Sequence, residues 1–114
     1  MSATVQDLVK VNKIITRVVL NCVKISFPRM NNIEDCHLAC YSDASFANLS
    51  SGGSQGGMVI FLKNSDGKQC PIYWQTRRIC RVVKSTLAAE TLALLDCAEA
   101  AVYIASIIAD LINI

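Results

Sequence analysis

Two carboxylates stand where acids could do chemistry. Asp43 closes the apolar run in Tyr41-Ser42-Asp43-Ala44-Ser45-Phe46-Ala47, and Glu90 ends Ser85-Thr86-Leu87-Ala88-Ala89-Glu90. The first pattern reads as a strand with an acid at its end. The second reads as the start of a helix with Ser85 as N-cap. Glu90 then lies about one and a half turns into that helix, so both acids can reach one edge of a sheet. Carboxylates converging on one point are what two-metal phosphodiester hydrolysis requires. They hold two divalent cations about 3.5–4 Å apart, which activate water and stabilise the leaving oxygen. Magnesium suits such a site, because hard oxygen ligands match its octahedral preference. Each acid also has a plain structural reading: Asp43 can cap a turn with Ser45, and Glu90 can be an ordinary solvated helix residue.

No other acid supplements the pair. On a helix, Asp96 sits about 240° round from Glu90, Glu99 about 180°, and Asp110 about 200° and roughly 30 Å along the axis. Asp66 belongs to a turn at the far end of its strands from Asp43. Arg77, Arg78, Arg81 and Lys84 form a short basic run with no acid among them. Such a run can meet phosphates, because each neutralised phosphate releases counterions. It can equally be a solvated turn between a strand and a helix.

The elements that must position these groups follow from periodicity. Leu8, Val11, Ile15, Val18 and Val19 recur at helical spacing, with Lys10, Lys13 and Arg17 outside the stripe. Residues 22–27 alternate like a short strand, and residues 28–34, with Pro28, Asn31 and Asn32, form a loop and a boundary. Residues 37–43 and 57–63 read as strands, the latter by Met58-Val59-Ile60-Phe61-Leu62. Asn64-Ser65-Asp66-Gly67-Lys68 supplies hairpin chemistry, and residues 70–76 give a partner strand with Tyr73 and Trp74 on opposite faces. A long helix then runs from Ser85 towards Leu111. It is apolar over most of its circumference, so it expects neighbours on several sides. The resulting class is α/β with α+β layering: an antiparallel three-stranded meander and a long C-terminal helix, preceded by a helix and a short strand.

The two acidic motifs, with Gly52-Gly53-Ser54-Gln55-Gly56-Gly57 between them, resemble the ribonuclease H domain of copia-type LTR retrotransposon polyproteins. The resemblance covers roughly residues 8–108. It implies a partial ribonuclease H-like fold, with residues 1–33 as the connection from a reverse transcriptase and residues 34–114 as the N-terminal half of the nuclease. It further implies Asp43 and Glu90 as the first two catalytic acids and magnesium ligands. The substrate would be the RNA strand of an RNA–DNA hybrid, contacted by Ser45, Arg77, Arg78, Arg81 and Lys84. The family's later acids would follow the long helix, so this chain reads as truncated, with cleavage and magnesium binding weak or absent in it alone. The alternative is a non-catalytic interaction module or transposon remnant that self-associates through an unfinished sheet edge. A transposon integrase core is set aside, since integrases do not combine these motifs.

Composition bounds the rest. With 114 residues, 53% hydrophobic and 18% charged, the chain has room for one modest core and is not composed like a disordered one. A net charge of +2 diagnoses no partner. The N-terminus mixes Gln6, Asp7, Lys10 and Lys13 into its apolar residues and does not read as a secretory signal. The apolar stretch 100–109 is bracketed by Glu99 and Asp110 and is short of the ~20 residues a bilayer needs. An intracellular chain outside any membrane is expected, its six cysteines free thiols. Cys36-His37-Leu38-Ala39-Cys40 fails as a zinc site on a strand, because His37 points away from the two cysteines. The glycines at 52–57 lack the Lys-Ser/Thr of a phosphate loop.

Overall fold

The computed structural model describes residues 3–113. Helix α1 (Val5–Leu20) opens with a capping box, in which the Thr4 side chain accepts the Asp7 N–H and the Asp7 side chain accepts the Thr4 N–H. Its apolar stripe forms as expected, yet no residue of α1 is buried, and the helix packs against none of the other elements.

The expected strand at residues 22–27 is absent: that segment is extended coil, and Val23 is 86% exposed. Alternation makes a strand only where a neighbouring ladder accepts its backbone groups, and nothing pairs with this one. A 3₁₀ turn, Ile33–Asp35, then leads into the sheet.

Strands β1 (His37–Ser45), β2 (Gln55–Lys63) and β3 (Gln69–Arg78) form an antiparallel meander in the order β1-β2-β3. The β2–β3 hairpin closes through residues 64–68. There the Asn64 N–H donates to the Lys68 carbonyl, the Asn64 side chain accepts the Lys68 N–H, and Gly67 takes φ of +81°. Only glycine adopts that left-handed conformation at no steric cost. A bulge near Ile60/Phe61 shifts the β2–β3 register. The result is a mixed α+β architecture.

Helix α2 (Thr86–Ile112) starts at Ser85, whose hydroxyl accepts the Ala88 N–H. Ala89, Ala93 and Cys97, spaced four apart, are its buried residues. With Ile60 and Cys70 they make up the apolar core. By length and composition α2 is also long and apolar enough to cross a bilayer. Here its inner face is laid on the sheet and Asp96 is paired with Arg77.

Candidate functional site

Strand parity decides where Asp43 points. In the β1–β2 ladder Asp43 is opposite Gly57, and Ala44 is opposite Gly56. A Cβ on Gly56 would lie 3.4 Å from the Ala93 Cβ of α2, whereas one on Gly57 would meet nothing nearer than a backbone carbonyl at 3.8 Å. The even-numbered positions of β1 and β2 therefore face the helix, and the odd-numbered ones face away. Asp43 belongs to the odd set. Its side chain leaves the sheet on the face opposite α2, exposed, and its Oδ1 accepts the Ala44 N–H at 3.0 Å.

Three contacts fix α2 over the other face. The Cys97 thiol lies 3.7 Å from the Tyr41 carbonyl oxygen of β1. Ala93 stands over Gly56, one strand across from Ala44. The Asp96 carboxylate pairs with the Arg77 guanidinium of β3 at 2.8 Å. Helix α2 thus runs antiparallel to β1, with Cys97 turned to β1 and Asp96 to β3. Glu90 precedes Cys97 by seven residues, which puts it within about 20° of the same azimuth, two turns nearer the helix start. Glu90 is half-buried and sits on the β1 side of α2, level with the Asp43 end of the strand.

The two motif acids accordingly flank one end of β1 from opposite faces. Strand β1 is an edge strand, and among the described residues no further strand pairs with its outer side. Among the described residues no three His, Cys, Asp or Glu side chains gather as a metal site. A pair of magnesium ions needs more oxygen ligands than this, and the residues present do not fit such a pair by themselves.

Ser45, Gln55 and Arg78 form one row across the sheet at this same end. Ser45 is half-buried and Arg78 exposed. The Arg78 guanidinium lies on Gly53 so closely that a Cβ there would come within 2.9 Å of its Nε. Arg81 and Lys84 are exposed in the loop between β3 and α2. Arg77 differs from the other three. The hydrogen bond that Arg77 donates to the Asp96 carboxylate, and the negative charge there, raise the Arg77 pKa above its ordinary value, so this guanidinium is engaged within the fold. Burial raises the Cys97 thiol pKa, with a smaller contribution from neighbouring Cys40.

Sequence reasoning missed the other face of the sheet. Tyr41, Val59 and Trp74 form a row on it, and Tyr41 and Trp74 are 57% and 60% exposed. The run Met58-Val59-Ile60-Phe61-Leu62 was the available signal, since an unbroken apolar strand has apolar groups on both faces. Compared with known proteins, the chain matches no family model, no curated protein and no solved structure.

Proposed function

We propose that this chain is a ribonuclease H-like nucleic-acid-binding unit of retrotransposon type, whose parent activity is endonucleolytic cleavage of RNA in an RNA–DNA hybrid. The observation that carries the reading is one of placement. The Ser-Asp-Ala-Ser acid and the Ala-Ala-Glu acid belong to a meander-then-helix order and come to the same end of β1, with Arg78 in the Ser45 row at that end and Arg81 and Lys84 following it in the loop to α2. In this reading Arg78, Arg81 and Lys84 meet backbone phosphates, and Ser45 lies in the same row as Arg78, with Gln55 between them. Asp43 and Glu90 mark two acid positions of the parent site in this reading; standing on opposite faces at β1, they do not make a magnesium site by themselves. The remaining ligands must come from protein outside these residues, so the chain alone binds without cutting.

The alternative is a non-catalytic interaction module. The observation that favours it is the unpaired edge of β1, nine residues long, since such an edge offers free backbone groups to another strand.

One experiment separates the two. Fluorescence anisotropy compares a labelled RNA–DNA hybrid with a DNA duplex of the same sequence, with and without magnesium. The expected result is tighter binding of the hybrid and no cleavage. Arg81→Ala should flatten the salt dependence by roughly one unit of slope, as loss of one phosphate contact does. Absence of duplex binding at low salt would favour the interaction module. Cleavage abolished by Asp43→Asn would show that two acids suffice.

A further inference from the structure

The sheet has two faces, and only one is covered. Helix α2 lies over the face that carries Cys40, Gly56 and Ile60, while α1 packs on neither. On the uncovered face three aromatic rings come from three different strands. Tyr41 of β1 and Trp74 of β3 are both opposite Val59 of β2, so their Cα atoms are about two strand spacings, roughly 10 Å, apart. Phe61 of β2 meets Tyr41 edge-on, with ring centroids 6.0 Å apart and planes at 85°. That contact leaves Tyr41 and Trp74 as the two widely exposed rings.

Cations stand at both ends of the same face. Arg78 shares the parity of Trp74 and lies at the Asp43 end; Lys63 shares the parity of Phe61 and lies at the hairpin end. Gln55 and Thr76, hydrogen-bonded to each other at 2.9 Å, add polar groups between Trp74 and Arg78. A face meant only for a covering helix would be served by aliphatic side chains, without a cation at each margin.

We infer that this open face, built on Tyr41 and Trp74 with Arg78 and Lys63 at its margins, is a stacking platform for single-stranded nucleic acid. Flat rings on a sheet accept unpaired bases of any sequence, because every base has a π-face, and flanking cations follow the phosphates. Duplex bases are stacked on each other and offer no face to these rings. The platform is therefore separate in substrate from the proposed hybrid contacts and shares with them only Arg78, and it does not depend on the nuclease reading.

Trp74 is the chain's single tryptophan, so its fluorescence reports the platform directly. Titration of the full chain with an unlabelled thymidine 12-mer, without magnesium, should quench Trp74 emission. Tyr41→Ala should weaken the fitted affinity at least about fivefold, the low end of the loss of one stacked base. Trp74→Phe, which keeps a ring, should retain most of the affinity, and Trp74→Ala should not; both are followed by anisotropy of a labelled 12-mer. Arg81→Ala, the probe of the hybrid contact, should leave the single-strand affinity within a factor of two. Quenching unchanged by Tyr41→Ala would overturn the proposal. So would the absence of quenching together with a blue-shifted Trp74 emission that depends on protein concentration, because a second copy of the chain would then cover this face.

Discussion

At the residue scale, the decisive fact about Asp43 is one unit of strand parity. The sequence placed an acid at a strand end but could not say which face it leaves, because β1 is apolar or small on both sides: Leu38, Cys40 and Ala44 in one set, Ala39 and Tyr41 in the other. A shift of one residue moves the whole set to the other face. The assignment rests on α2 lying against Gly56 and not against Gly57, and a pair of substitutions tests it. Gly56→Val must place methyl groups where Ala93 and Ile79 already stand, at 3.4 and 3.6 Å from the Cβ alone. Overpacking of this kind costs about 1–3 kcal/mol. Gly57→Val enters open space and gains a residue suited to strands, so its cost should be close to zero. Urea unfolding of both variants should show the difference as a lower midpoint for Gly56→Val only. Equal destabilisation, or a greater loss at Gly57, would reverse the parity and return Asp43 to the helix face beside Glu90.

At the scale of elements, the signals that held were those carried by local chemistry. Ser85 as N-cap, the Asn64–Lys68 turn and the amphipathic stripe of α1 each need only neighbours in sequence. The strand expected at residues 22–27 failed because a strand needs a partner that local pattern cannot supply. Helix α1 is the extreme case of local determination, since nothing but its own capping box and stripe defines it. Asp7 therefore matters more to α1 than a surface acid usually does. Its pKa is lowered from the ordinary 3.8, first by the Thr4 backbone N–H and then by the Thr4 hydroxyl. A carboxylate with a depressed folded-state value contributes stability that is present above its unfolded value and lost as pH falls through the folded one. Helical ellipticity at 222 nm should consequently drop as pH falls below about 3.8. In Asp7→Asn the helical signal should be lower at neutral pH and the acid response of α1 absent. Identical acid titrations of the two proteins would show that the capping box does not hold the helix.

At the scale of the whole molecule, the chain buries little for its size. Its radius of gyration is 18.2 Å, against roughly 13 Å expected for a compact chain of this length. The apolar core consists of Ile60, Cys70, Ala89, Ala93 and Cys97, all small except Ile60. The breadth of the apolar surface on α2 was legible in the sequence, but what covers it was not, because among the described residues none of its C-terminal half is buried. That half and the start of β1 form an apolar groove of about 550 Å³, lined by Leu38, Leu62, Val102 and Ile108 among others, beside the unpaired edge of β1. Burying one such aliphatic side chain is worth about 1.5–3 kcal/mol, so several exposed together favour association in water. The chain should sediment as a dimer or larger species at micromolar concentration. Ile108→Glu, which puts a charge into the groove, should shift it towards monomer, whereas Trp74→Ala on the opposite face should leave the distribution unchanged. A wild-type chain that sediments as a sharp monomer and unfolds cooperatively would mean that α1 folds back to complete the core. In that case Ile15→Glu, which breaks the α1 stripe, should lower the unfolding midpoint of the monomer.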